Sequence, residues 1–295
     1  MSNQAPPPVG QQLASLLEPA QLMLWAMSHY LRVCKEAVFT RGQVFAPIFQ
    51  TTRLRDEAFG KFWVEFSAPR GDPNAEPVGS SALIPPILKT SRGVVLDIGP
   101  GTGTQMPLLR SNDITALYGA EPCIGLHSQL RAKAISEGVS EKYHILPCGV
   151  SGKDLLPALR NAETGVTEAY DSNPKMGIFD TILCVRVLCS IPDMEKTTKE
   201  LYGLLKPGGR LLITEHVVNN WAAPKGSILA RLAQAAYMLL GWWFFIGDCC
   251  LDRDTEAALR KAADVHGGWE SVDLERSFEW SAMPYLSGIL TKKSN

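Results

Sequence analysis

The chain carries no excess charge of either sign: 29 lysines and arginines stand against 30 aspartates and glutamates, a net charge of −1 over 295 residues. A nucleic-acid binder presents a basic stripe to phosphates. None stands out here, so no nucleic-acid partner is expected. A disulfide framework is also lacking. The seven cysteines are odd in number and scattered, five of them in or beside apolar stretches, which fits the reduced thiols of a cytoplasmic protein. Cys249 and Cys250 adjoin without the spaced partners a zinc site uses, so no metal is expected. Met1 to Gly10 holds Pro6, Pro7 and Pro8 but no basic segment leading into an apolar run, so a frayed tail is expected and not a secretory signal.

With 45% hydrophobic residues, the chain has enough apolar side chains for an ordinary packed core. One stretch, Ser227 to Ile246, is long and apolar enough to span a bilayer. Arg231 and Gln234 interrupt it, and polar groups are costly in lipid. A lid is therefore expected, or a helix lying on an intracellular membrane as a peripheral contact.

Helical spacing dominates the first part of the chain. Pro19 suits a first helical turn, and Leu22, Trp25, His29 and Val33 follow at helical intervals. Phe59, Phe62, Trp63 and Phe66 form a stripe within a helix expected over Thr52 to Phe66. The stretch Ala68 to Ser80, with Pro69, Gly71, Pro73, Pro77 and Gly79, reads as a loop. It divides a tail and helical extension over 1–80 from a core over 81–295, which carries the apolar insert at 220–250. In the core, strands are expected at Val94–Ile98, Ala116–Gly119, Tyr143–Leu146, Thr181–Val185, Arg210–Thr214, Ser271–Glu275 and Tyr285–Thr291. Helices are expected between them at Thr104–Leu109, Gly125–Ser136, Lys153–Arg160, Met194–Leu205 and Thr255–Val265. This alternation predicts an α/β fold with a doubly wound, mainly parallel, seven-stranded sheet.

The sharpest local pattern is Val94-Val95-Leu96-Asp97-Ile98-Gly99-Pro100-Gly101-Thr102-Gly103, a strand entering a glycine loop that opens the next helical segment. Such a loop lets a ligand approach the backbone at the carboxyl end of the sheet. Glu121 follows Gly99 by 22 residues, where an acid can accept two ribose hydroxyls. The third glycine comes one residue too early for a dinucleotide loop, and no Gly-Lys-Ser/Thr follows. Asp97 would repel a pyrophosphate but favour the cationic ammonium and sulfonium of S-adenosylmethionine.

Asp97, Gly99, Gly101, Gly103, Glu121, the strand Phe179-Asp180-Thr181-Ile182 and Lys206-Pro207-Gly208-Gly209-Arg210-Leu211 together resemble the class I S-adenosylmethionine-dependent methyltransferases, over roughly Arg53 to Lys292. The resemblance implies S-adenosylmethionine as cofactor. It places the methionine moiety on Gly99, Gly101 and their loop, and the ribose on Glu121. Cys123 or Ile124 and the Cys148-Gly149-Val150 loop then flank the adenine, with Asp154 at its edge, and the backbone at Cys184-Val185 faces the ammonium. Val187-Leu188-Cys189-Ser190, Glu215-His216-Val217 and Ile246-Gly247-Asp248-Cys249-Cys250-Leu251 are similar to the mammalian membrane-associated alkyl thiol methyltransferases. The chain differs from them in lacking a strongly hydrophobic N-terminal anchor and in its longer apolar insert.

A small, mostly apolar acceptor follows as the expected partner, with a thiol leading and an alcohol, phenol, amine or lipid as alternatives. A catalytically silent S-adenosylmethionine-binding module is the non-enzyme alternative. His216, just past the fifth strand, is the candidate base, or else an imidazole bonded to a loop carbonyl. Asp248 is a second catalytic candidate, with capping or lid structure favoured. Trp25, Tyr30, Arg186, Cys189 and Cys249 are candidates for the acceptor pocket. For Arg186 an ion pair with Asp97 or Asp193 is favoured, and for Cys249 and Cys250 a place in the core.

Overall fold

A computed structural model describes residues 7–68 and 76–294. Pro69, Gly71 and Pro73 of the expected loop, and the first part of the expected tail, lie outside the described residues. Seven strands form one sheet: β1 (Gly93–Ile98), β2 (Ile114–Ala120), β3 (Tyr143–Leu146), β4 (Phe179–Val185), β5 (Leu205–His216), β6 (Ser271–Ser277) and β7 (Tyr285–Thr291). Their order is β3-β2-β1-β4-β5-β7-β6, parallel except for β7, which runs antiparallel between β5 and β6. The expected doubly wound, mainly parallel sheet is therefore present.

The inner strands read as apolar runs because helices cover both sheet faces. Leu96, Ile182 and Leu211 belong to one buried cluster, while Val95, Leu183 and Leu212 belong to the other. Strand order reverses between β1 and its two neighbours β2 and β4. A crevice opens at the carboxyl ends of the strands at such a reversal.

The extension contains α1 (Val9–Ser15), α2 (Glu18–Lys35), α3 (Ala46–Phe49) and α4 (Thr51–Phe66). A short α5 (Ile84–Leu88) precedes the sheet, and α6 (His127–Ser136), α7 (Gly152–Asn161), α8 (Glu168–Ser172) and α9 (Met194–Leu204) connect its strands. The helix expected over Thr104–Leu109 is only a 3-10 turn, Met106–Leu109. Pro107 has no amide hydrogen to give a longer helix.

The long apolar insert does not form one helix. It divides into α10 (Ile228–Leu239) and α11 (Trp242–Phe245) at Gly241, whose φ of +90° suits glycine. No described helix is long and apolar enough to cross a membrane. Gln234, fully buried, ties the insert to the sheet. Its Oε1 accepts from the Asn219 amide at 2.9 Å, and its Nε2 donates to the carbonyls of Val217 and Ala282, each at 3.1 Å. The polar residue that interrupts the apolar run is thus the lid's internal anchor. After the lid, α12 (Thr255–Lys261) ends earlier than expected and gives way to a 3-10 turn, Asp264–His266.

Candidate active site

A cavity of about 880 Å³ lies at the carboxyl ends of β1, β2, β4 and β5 and continues under the helical extension and the lid. That volume is at the upper end for a small-molecule site. At one end are Gly99, Gly101 and Glu121; at the other are Cys189, His216 and Cys249.

The glycine loop is shaped by close approaches. Gly99 and Gly101 have φ of +58° and +60°, a region where side chains are strained. A Cβ at Gly99 would lie 2.7 Å from Val187 Cγ2, and one at Gly101 would lie 2.5 Å from Trp63 Nε1. The α4 helix therefore presses directly on the loop, and Ser67 Oγ meets Thr102 Oγ1 at 2.8 Å. Glu121 Oε2 accepts from the Gly101 amide at 2.9 Å, and its Oε1 accepts from the Cys123 amide at 2.8 Å. Each oxygen keeps further acceptor capacity, and the residue, 5% exposed, lines the cavity. Burial pushes the Glu121 carboxyl above its usual range, opposed by those two amides. A carboxylate so placed favours a ligand with paired hydroxyl donors or positive charge, and a side-chain-free loop beside it admits a bulky one. Both features fit S-adenosylmethionine.

Asp97 takes a different position from the one its motif implies. It is buried, accepts a hydrogen bond from Tyr143 at 3.2 Å, and is not among the cavity-lining residues. Gly119 makes this contact accessible, since a Cβ there would lie 2.5 Å from the Tyr143 hydroxyl. Burial raises the Asp97 pKa to about 7, opposed by the Tyr143 bond and reinforced by Glu121. Between the usual aspartate value and about 7, the folded chain holds a proton that the unfolded chain has lost, so stability falls as pH rises through that window. Asp97→Asn removes this share of the fall. Thermal melts of the ligand-free protein are expected to show the variant on the order of 5 °C above wild type at pH 8 and close to it at pH 5. Equal displacement at both values would refute the assignment.

Among the other expected donor-site residues, Gly149, Val150 and Asp154 line the cavity, and Asp154 accepts from Ser151 Oγ at 2.6 Å. Cys148 faces a shallower neighbouring depression, and burial raises its thiol to about 11. Gly103, Cys123, Cys184 and Val185 are not among the lining residues, and Cys184 is fully buried in the core.

At the end of the cavity near Cys189, His216 and Cys249 the placements differ from expectation in three respects. Trp25 and Tyr30 stand behind the wall, Trp25 against Phe62 and Phe66 and Tyr30 against Phe244 and Phe245. The α2 helix turns Glu18 and Leu22 to the cavity in their place. Arg186 lines the cavity but forms no ion pair with Asp97 or Asp193. Its Nη2 donates to Ser80 Oγ at 2.9 Å and Ser81 Oγ at 3.1 Å, because the turn Gly79–Leu83 crosses in front of it. Cys249 lines the cavity and does not stand alone. His216 Nε2 lies 3.0 Å from its sulfur, and Cys189 joins them, the three ligand atoms within 4.8 Å of one another. Cys249, read in the sequence as having only Cys250 beside it, thus meets a thiol from the turn after β4 and an imidazole from the end of β5, both distant in sequence.

Asp248 also lines the cavity, with φ of +60°, and receives two hydrogen bonds from Arg55 at 2.8 and 3.0 Å. The carboxylate clamps the lid loop onto α4. Beside it, a Cβ on Gly247 would lie 2.7 Å from the Phe59 ring. Glu215 went unnoticed in the sequence as a structural group. Fully buried, it accepts from the amides of Val187 and Leu188 at 2.9–3.0 Å and so shapes the turn that carries Cys189. Burial raises its pKa to about 7, against the pull of those amides. The aromatic stripe of α4 also proved more than core packing, since Phe59, Trp63 and Phe66 line the cavity. Its helical spacing was the visible signal.

Among curated proteins, thiol S-methyltransferase TMT1B of Rattus norvegicus is 34% identical over 131 residues, covering 42% of this chain and 49% of the relative. The Homo sapiens TMT1B is 38% identical over 121 residues, 39% of this chain and 45% of the relative. The chain thus matches about half the length of these relatives. The mitochondrial methyltransferase OMS1 of Saccharomyces cerevisiae is 28% identical over 62% of this chain and 38% of its own. Among solved structures, the (4+2)-cyclase SpnF superposes with a TM-score of 0.52 at 14% identity, over 83% of this chain and 96% of that one, a likeness of fold. Residues 79–267 match the family described as methyltransferase domain. That match takes in more than half of the chain, including the glycine loop, Glu121 and the turn after β4, and on it the chain belongs to the class I methyltransferase family, whose methyl donor is S-adenosylmethionine.

Proposed function

We propose that the protein transfers a methyl group from S-adenosylmethionine to a small, mostly apolar thiol. The observation that carries this reading is the single cavity joining the glycine loop and Glu121 to a sulfur- and imidazole-lined end beneath an aromatic roof. S-adenosylmethionine would supply an electrophilic methyl group on a sulfonium centre. Gly99 and Gly101 would admit its amino-acid part, Glu121 would accept its ribose hydroxyls, and Gly149 and Val150 would border its base.

The acceptor end is formed by Cys189, His216, Trp242, Cys249, Met283 and Tyr285. These side chains are mostly apolar or polarisable, which suits an organic sulfur compound better than a sugar or a phosphate. Holding acceptor and methyl carbon in line can contribute about 7–11 kcal/mol. A thiol, with a pKa of about 8.5, needs little help to ionise near neutral pH. The Arg55–Asp248 pair and the Phe59, Trp63 and Phe66 roof would limit the access of water to the site. The name of the TMT1B relatives points the same way.

The roof and extension also expose Leu229, Leu232, Leu239, Leu240 and Phe39 to solvent, which favours an acceptor delivered from a lipid surface as the second reading. Purified protein is to be incubated with isotope-labelled S-adenosylmethionine and a panel of thiols, phenols and amines, including long-chain thiols held in vesicles. Label is expected in thioethers. Label confined to phenols or amines would refute S-methylation, and no labelled product from any acceptor would refute the transferase reading.

A further inference from the structure

We propose that Cys189, His216 and Cys249 form a zinc-binding site, with a fourth position open to the cavity that receives the acceptor thiol as its thiolate. The placement of the acceptor rests on the methyltransferase reading; the metal site does not.

The three residues come from separate elements: the turn after β4, the last residue of β5, and the loop after α11. All three are buried, and their ligand atoms lie within 4.8 Å of one another. Tetrahedral zinc with sulfur at about 2.3 Å and nitrogen at about 2.0 Å sets ligand atoms roughly 3.5–3.8 Å apart. Zinc would part His216 Nε2 and Cys249 Sγ, 3.0 Å apart without it, by about 0.5 Å and would draw in any ligand pair farther apart than about 3.8 Å. Two thiols and an imidazole suit a borderline-soft ion such as zinc, not calcium or magnesium.

The surroundings hold these groups in place. The Cys250 amide donates to the Cys189 carbonyl at 3.0 Å, fastening the lid loop to the β4 turn. Trp242 Nε1, which can only donate, points to Cys249 Sγ at 3.2 Å, so the sulfur serves as acceptor. Donors of this kind orient metal-bound ligands from behind. His216 is 6% exposed, and its Nδ1 is buried with no hydrogen-bond partner among the described residues. Nε2, the nitrogen beside Cys249 Sγ, is the one that would take the metal, and a ring nitrogen set against two buried thiols marks the cluster as built for something besides apolar packing.

Structural zinc sites close with four protein ligands, whereas sites with three keep a position for water or substrate. Here all three residues line the cavity, so that position faces the acceptor. As the acceptor sulfur bonds the metal, its S–H bond breaks and the proton passes to solvent. The sulfur's electron pair then forms the new S–CH3 bond, and the electrons of the broken methyl–sulfonium bond stay with the donor sulfur. The products are a thioether, S-adenosylhomocysteine and one proton. In this arrangement His216 holds the ion and does not act as the base.

The test uses the full chain without a polyhistidine tag. Elemental analysis of protein purified without chelator is expected to find about one zinc per chain. After stripping, cobalt(II) is expected to restore intense tetrahedral absorption with a thiolate-to-metal band. Cys189→Ser, His216→Ala and Cys249→Ser are each expected to weaken cobalt binding about a hundredfold or more, with far-ultraviolet circular dichroism unchanged. Metal-poor protein without the thiolate band would overturn the proposal. So would variants that fold and bind cobalt like wild type, or thiol counting that finds Cys189 and Cys249 joined as a disulfide. Equal thiol methylation by stripped and zinc-loaded protein would overturn the role given to the fourth position. Bound metal with no methylation of any acceptor would count against the transferase reading and leave the metal site standing.

Discussion

Glu121→Ala is expected to weaken S-adenosylmethionine binding by about a hundredfold or more. Two effects combine. In the proposed donor site the carboxylate would offer both oxygens to ligand hydroxyls, and hydrogen bonds to a charged group contribute about 1.5–3 kcal/mol each. It also holds the amides of Gly101 and Cys123, so its removal frees the loop that cradles the ligand. Glu121→Gln keeps the size of the side chain but loses the charge and one acceptor, and an intermediate loss is expected. Calorimetric dissociation constants for the three proteins check this. An alanine variant that binds within threefold of wild type would refute the role of Glu121.

Trp242→Ala is expected to have the largest effect on stability. Trp242 is 1% exposed and heads the fully buried side chains by volume. It turns inward after Gly241, lies near Tyr237 and donates to Cys249. Truncation of a buried tryptophan costs about 3–5 kcal/mol, which in a chain of this size lowers Tm by roughly 5–8 °C. Trp242→Phe keeps most of the ring and loses the N–H, so a smaller decrease is expected. Differential scanning calorimetry measures both. A fall of less than about 2 °C for the alanine variant would mean that the lid unfolds independently of the core.

The glycine-loop end of the cavity, the proposed donor site, was legible in part because its signals are local. A buried parallel strand reads as an apolar run, a glycine loop must show its glycines, and Glu121 stands at a fixed chain distance from that loop. Even so, the motif did not reveal that Asp97 is turned to Tyr143, since that contact needs the missing side chain at Gly119. At β5, Lys206-Pro207-Gly208-Gly209 reads as a turn before the strand. The strand takes it in, with the irregularity absorbed in its pairing with β4 between Phe179 and Thr181.

The acceptor half was largely hidden. Cys189, His216 and Cys249 meet only when β4, β5 and the lid have packed, and no spacing along the chain records it. Arg186 illustrates the same limit: its charge called for a carboxylate, yet two serine hydroxyls from the turn before α5 reached it. Helical periodicity located the aromatic stripe of α4 but could not tell a cavity wall from a core, because both require a buried apolar face. The polar interruption in the lid was visible as Gln234, but its meaning depended on the carbonyls of Val217 and Ala282 beside it.

The most direct measurement is a calorimetric titration of the intact, ligand-free protein with S-adenosylmethionine. One site per chain is predicted, with release of heat and with competition by S-adenosylhomocysteine. A flat thermogram at millimolar ligand, from protein that melts cooperatively, would contradict the assignment of the glycine loop and Glu121 as the donor cradle.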